Sequence, residues 1–138
     1  IYDRPVNRFV AEFMGNPPIN ILESDATTPA SAAFSAWALR HGVAAASAGI
    51  RPEALHVMPA GSTAPDGAFT MPATITALLP TGGSWIIELS DGERLLFATV
   101  QNAPPFHLGQ RVLVEANRDD LHLFDAAGDS LRRMLVPA

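Results

Sequence analysis

Cysteine is missing from the chain, which excludes disulfides, thiolate catalysis and Cys-ligated zinc. Lysine is missing too, since all 9 basic residues are arginine. That removes the P-loop lysine, Schiff-base chemistry and a lysine general base together. Long hydrophobic runs are also lacking, and no window approaches the roughly 18 uninterrupted apolar residues of a membrane span. The start shows none of the basic, apolar and small-residue succession of a signal peptide. Opening at Ile1, it reads as a piece of a longer chain or a cropped one. Positive charge is scarce: 9 basic residues against 14 acidic ones give a formal charge of −5. A net negative protein is a poor partner for nucleic acid or anionic lipid, because phosphate binding needs a basic face.

The 138 residues that remain are 48% apolar and only 17% charged, enough for a core and too apolar for disorder. Length alone suggests one domain, or one domain with an appended element. Residues 1–15 carry the clearest helical pattern. Asp3 can cap it, Pro5 is tolerated in its first turn, and Gly15 can end it. Val6, Phe9, Val10, Phe13 and Met14 recur on one stripe, so Phe9 and Phe13 need something to cover them. Asn16-Pro17-Pro18 then turns the chain extended.

Beyond the two prolines the chain reads mostly as strand. Ile19 to Glu23 is a short apolar run. Ala30 to Ala48 is rich in alanine, a helix former. However, Phe34, Trp37 and Leu39 make no sustained stripe and Gly42-Val43 interrupts it, so two short strands turning at His41-Gly42 are favoured over a helix. Gly49 to Glu53 reads as a turn feeding a strand at Ala54 to Met58. Met71 to Leu79 puts Ile75, Ala77 and Leu79 on one side. Ser84 to Ser90 alternates Trp85, Ile87 and Leu89 against Ile86, Glu88 and Ser90. Asp91-Gly92 is a two-residue hairpin signal of the type I′ kind, with Glu93 to Val100 as partner strand. Arg111 to Asn117 points Val112, Val114 and Ala116 inward, and Leu121 to Phe124 is a last short strand. Short strands about every ten residues, punctuated by Gly and Pro, point to a small barrel.

Chemistry-bearing constellations are weak. His41, His56, His107 and His122 stand in no metal-binding spacing, and Leu-His-Val and Leu-His-Leu alternation turns His56 and His122 away from the core. Ser84, His107 and Asp91 could be written as a triad, but no nucleophile elbow or oxyanion hole accompanies them. Asp119-Asp120 reads as an acidic turn. Thr81-Gly82-Gly83-Ser84 resembles a phosphate loop, yet it joins two strands where a phosphate cradle opens a helix. Arg51 and Glu53 flank Pro52 in a stiff turn that can pair its charges locally or dock the barrel on a neighbouring domain.

Three motifs carry a family resemblance. The run from Tyr2 through Pro5, Phe9-Val10-Ala11, Phe13-Met14-Gly15 and Pro17 to Asn20 resembles the junction segment that closes the nucleotide-binding domain in sugar-importer ABC ATPases. Gly49-Ile50-Arg51-Pro52-Glu53 and Leu121-His122-Leu123-Phe124-Asp125 with Gly128 resemble two later motifs of that family, in the same order. The resemblance implies the C-terminal regulatory (TOBE) domain of a subunit energising uptake of maltose-type sugars or sn-glycerol-3-phosphate. It also implies a mainly β fold, a small OB-like or MOP-like β-barrel preceded by a short amphipathic helix. Residues 1–18 would be the junction helix and linker, and 19–138 the regulatory barrel. This chain would itself be non-catalytic, with no cofactor; ATP and Mg2+ would belong to a nucleotide-binding domain upstream. Implied partners are a second copy, that domain, the importer's membrane subunits and a regulatory protein, at the cytoplasmic face of the plasma membrane. Phe9 and Phe13 would bury the junction helix against the catalytic domain or the barrel, and Arg8 beside that stripe is a candidate for partner contact, interdomain or between copies. Asn20, Arg51 and Glu53 would fix the turn geometry between the two parts. Where relatives carry an acidic residue and a leucine before the central turn, this sequence has Leu79-Pro80-Thr81-Gly82. An oxyanion-sensing barrel is the alternative, although the Ser/Lys motif of such relatives is lacking.

Overall fold

A computed structural model describes residues 17–126. The helix expected over residues 1–15, with Arg8, Phe9 and Phe13 on it, lies outside them, as does the tail from residue 127. The described chain is mainly β. A three-stranded antiparallel sheet, in the order β1-β2-β8, is built from β1 (Asn20–Glu23), β2 (Ser47–Ile50) and β8 (His122–Phe124). A five-stranded antiparallel sheet, in the order β3-β7-β4-β5-β6, holds β3 (His56–Pro59), β4 (Phe69–Pro80), β5 (Trp85–Ser90), β6 (Leu95–Val100) and β7 (Arg111–Ala116). One helix, α1 (Pro29–Arg40), lies between β1 and β2 in sequence. Both sheets and the helix share one core, in which Leu22, Ile50, Phe34, Ile75, Val114 and Leu121 are all buried. This is a small OB-like β domain.

Helix α1 replaces the strand pair expected within residues 30–48, and its ends explain why. Thr28 is the N-cap: Ser31 N–H donates to Thr28 Oγ1 at 3.1 Å and Thr28 N–H donates back to Ser31 Oγ at 2.8 Å, with Pro29 in the first turn. At the other end Gly42 N–H donates to Leu39 O and Val43 N–H to Ala38 O, with Gly42 at φ +66°. That pairing closes a helix through a left-handed glycine. Gly42-Val43, which looked like an interruption, is therefore the stop signal. The buried apolar stripe is Ala30, Phe34, Trp37 and Ala38, at i, i+4, i+7 and i+8, with the capping Ser31 buried beside it. Two of its four members are alanines, and Leu39, the residue that spoiled the pattern, is 85% exposed.

The rings of Phe34, Trp37 and Phe69 meet at centroid distances of 6.1 to 6.5 Å. Trp37 Nε1–H donates to Gly67 O at 3.0 Å, so the indole's one polar atom is satisfied inside the core. Burying each large ring contributes on the order of 1.5–3 kcal/mol.

Strand β4 also departs from the expected pattern. Phe69, Met71, Ala73 and Ile75 face inward, but the register with β5 shifts between Ile75 and Ala77, leaving Thr76 as the extra residue. A bulge moves every later side chain to the opposite face. Leu78 accordingly packs on the core, and Leu79, expected on the same side as Ile75, is 45% exposed. The hairpin at Asp91-Gly92 exists with a longer loop than a two-residue turn. Ser90 pairs with Leu95, and of the two central residues only Gly92 has positive φ. Gly49 and Ile50 belong to β2, so the turn begins at Arg51. Gly49 lies where a Cβ would come within 3.0 Å of Ile19 Cδ1 and 3.3 Å of Phe124, so its lack of a side chain lets the small sheet pack. His122, expected to point outward, is buried in β8.

Candidate functional site

Asn20 is where the expected site residues meet the fold. It opens β1 and is 4% exposed. Its Nδ2 donates to Ile50 O at 3.0 Å and to Phe97 O at 2.9 Å, while Phe97 N–H donates to its Oδ1 at 2.7 Å. The side-chain amide thus does for Phe97 what a peptide group of a neighbouring strand would do. It ties β1, the first strand after Pro17-Pro18, to β2 in its own sheet and to β6, the edge of the large sheet. Both amide protons are used, which leaves the carboxamide one orientation.

Ile50 leads directly into the Arg51-Pro52-Glu53 turn, so Asn20 and this turn are neighbours. Pro52–Ala54 forms a short 3-10 helix closed by Ala54 N–H to Arg51 O at 2.9 Å and packed against β6. Pro52 and Leu55 are buried, and the Nε and Nη2 atoms of the half-buried Arg51 are closed off from water. Glu53 stands exposed on the turn's outer side. The three residues therefore differ: Asn20 is a buried clamp, Arg51 a partly enclosed cation, and Glu53 a surface group.

Asp91 is a residue whose role the sequence did not disclose. It lies in the β5–β6 loop and accepts from Ala30 N–H at 2.8 Å through Oδ2, and from Glu93 and Arg94 N–H at 2.8 and 2.7 Å through Oδ1. Helix α1 has no acidic residue in its own first turn, and Asp91 supplies the negative charge from 61 residues away. Burial pushes its carboxyl upward, but the hydrogen bonds from Arg94, Glu93 and Ala30 outweigh that and hold it below the ordinary aspartate value. Asp25 is also lowered, by the backbone and hydroxyl hydrogen bonds of Thr27.

The remaining candidates do not converge. Ser84 and Asp91 sit at opposite ends of β5, about 20 Å apart at strand rise, so no triad forms from them. Thr81 to Ser84 is the β4–β5 hairpin turn, closed by Thr81 N–H to Ser84 O at 2.9 Å, and no helix follows it. Asp119-Asp120 lies in a 3-10 turn capped by Asn117. His41 rests against the Trp37 ring and His107 is exposed. His56 Nδ1 lies 2.8 Å from Glu115 Oε1, across the β3–β7 pair. Among the described residues no three His, Asp or Glu side chains gather as a metal site. No described helix is long and apolar enough to cross a membrane. Grooves on the surface of the described residues include two of note. One of about 390 Å3 runs between β1, β6 and the start of α1, past Thr27, Thr28, Ser31 and Arg94. One of about 550 Å3 lies under the 101–110 loop, over Val57, Met58, Ile87 and Val100.

The TOBE domain family matches residues 48–124, more than half of the chain. The chain belongs to this family. The TOBE match starts in β2 and ends with β8, so β1 and α1 precede it while packing into the same core. Relatives of this TOBE chain include the sn-glycerol-3-phosphate import ATP-binding protein UgpC of Rhodopseudomonas palustris strain BisA53, 33% identical over 142 residues. The proteins of that name from Brucella abortus strain 2308 and, as UgpC 3, Agrobacterium fabrum are each 31% identical over 134 residues. Each alignment covers 93% of this chain but only 36 to 37% of the relative's length.

Proposed function

We propose that this TOBE domain is the non-catalytic C-terminal regulatory and dimerisation part of an ABC importer ATPase subunit that energises uptake of carbohydrate or sn-glycerol-3-phosphate. The observation that carries the reading is the alignment of nearly the whole chain with importer ATP-binding proteins of about three times its length. The lack of any lysine supports it, because nucleotide hydrolysis of the P-loop kind must then be performed by another domain. ATP and Mg2+ would be handled there, with the whole assembly held at the cytoplasmic face of the membrane by the transporter's membrane subunits.

The mechanism is mechanical. A rigid barrel pair keeps two subunits at high effective concentration, so that closure of the ATP-binding parts is a hinged motion without dissociation. Asn20 suits such a role, since a pull arriving along the Pro17-Pro18 linker enters both sheets through its amide. The junction segment carrying Arg8, Phe9 and Phe13 would dock on the nucleotide-binding domain. Arg51 and Glu53 would set the angle, and an exposed barrel face would receive a regulatory protein. Sedimentation of the chain across the high micromolar range tests the pairing: a dimer is expected, and a monomer throughout counts against it. Calorimetry with molybdate, sulfate and sn-glycerol-3-phosphate addresses the oxyanion-sensing alternative. Saturable binding would replace the mechanical reading with a sensor.

A further inference from the structure

Asp-Gly occurs twice, at Asp66-Gly67 and Asp91-Gly92, and the fold treats the two pairs in opposite ways. Glycine has no Cβ to screen its amide nitrogen, so that nitrogen can reach the side-chain carboxyl carbon of the preceding aspartate. At Asp91 both reacting groups are occupied. Its oxygens accept from Ala30, Glu93 and Arg94, and Gly92 N–H donates to Ser90 Oγ at 2.9 Å. The residue is 9% exposed. At Asp66 nothing holds either group. The side chain is exposed, and no hydrogen bond reaches its carboxylate among the described residues. The turn is closed by Ala68 N–H to Pro65 O at 3.2 Å, which passes over the Gly67 amide. Gly67 has φ +85°, and no heavy atom lies within 4 Å of where its Cβ would be.

We propose that Asp66 is a site of spontaneous isomerisation to isoaspartate, that Asp91 is spared, and that the product loosens the tie between the 59–68 loop and α1. The inference goes beyond the importer reading and does not rest on it. In the first step the Gly67 nitrogen gives its proton to solvent and bonds to Asp66 Cγ. The carboxyl reacts in its protonated form: the Cγ–OH bond breaks and the departing hydroxyl takes a proton from solvent and leaves as water, giving a five-membered succinimide. Water then adds to one ring carbonyl and breaks its bond to nitrogen. Addition at the former side-chain carbonyl restores aspartate, and addition at the former main-chain carbonyl gives isoaspartate. One water is lost and one gained, with no change of oxidation state. The main chain now runs through an extra methylene just before Gly67. Gly67 O is the acceptor for Trp37 Nε1–H, so the rearrangement displaces the partner of a buried indole.

The test is to hold the 138-residue chain at neutral pH and physiological temperature. Isoaspartyl carboxyls are then labelled with a protein isoaspartyl methyltransferase and S-adenosylmethionine, and the sites located by fragmentation mass spectrometry. Label at position 66 should exceed that at position 91 at least about tenfold, because Asp91 reacts only after local opening. In concentrated urea the ratio should fall toward one. Equal labelling in the native chain, or the same excess persisting in urea, overturns the assignment. Asp66→Glu, which cannot close the five-membered ring, should abolish the label at that position, and its persistence there overturns it as well. In a Trp85→Phe background the isolated isoaspartyl-66 form should emit to the red of the unmodified chain. Unchanged Trp37 emission overturns the loosening.

Discussion

Strand β7 and helix α1 both pack into the same core, but they are held there by different means. In β7, Val112, Val114 and Ala116 turn inward at every second position, and the neighbouring strands on both sides fix the register. In α1 the stripe is half alanine, and the helix is secured at its ends: by Thr28 and Ser31, by the Gly42 stop, and by the carboxylate of Asp91. The sheet is specified by a repeating pattern, the helix by a few single residues. The sheet should therefore tolerate change at many places, and the helix should fail at a handful.

The largest effect on this contrast is expected at Trp37. Trp37→Ala removes the fully buried ring that joins α1 to Phe69 and Gly67, and should cost about 3–5 kcal/mol in urea unfolding. If a single sheet residue such as Val112→Ala costs as much, the helix is not the more concentrated of the two. Asn20→Ala comes next. It leaves the Phe97 N–H and C=O without their partner, at about 1–3 kcal/mol for a buried orphaned group. Hydrogen exchange should quicken at the Phe97 amide more than at Ala98. Uniform quickening along β6 would mean that the strand is secured elsewhere.

Asp91→Asn tests the long-range cap. An amide in place of the carboxylate turns a donor toward Ala30 N–H or toward the Glu93 and Arg94 N–H groups. A loss of about 1–3 kcal/mol is expected at neutral pH. The pH dependence carries a sign. The folded carboxyl titrates below its ordinary value of 3.8, so its contribution is complete above that value and is lost as pH falls through the lower folded one. Acid unfolding of the Asn variant should therefore be shallower in that window, and an unchanged slope would remove Asp91 from the account. The smallest effect is at Leu79. Because the Thr76 bulge turns it outward, Leu79→Thr should shift stability by less than about 0.5 kcal/mol. Ile75→Thr, on the buried side of the bulge, should cost several times more.

The same division decides what could be read in advance. Strands β5 and β7, and the hairpin between β5 and β6, follow from alternation and from Asp-Gly, which act locally and repeat. The family was legible through Gly49 to Glu53 and Leu121 to Asp125, which lie on β2 with its following turn and on β8. Helix α1 was misread because small residues carry its stripe, and alanine's apolar role emerges only where another layer presses on it. The inward turn of His122 and the reach of Asp91 to Ala30 depend on neighbours far along the chain, and the bulge at Thr76 on its register against β5, none of which a local pattern displays. Asn20 stood out through the motif it ends, but what its amide binds became visible only once β6 lay beside it.

One consequence of that amide concerns the crowded cell more than the single molecule. The rim of a β-sheet is a template on which other chains can stack. At Phe97 the hydrogen-bonding groups on the outer side of β6 are already taken by the Asn20 side chain. A single carboxamide thus denies a foothold to edge-to-edge association, and it does so without the lysines that proteins often place on such rims.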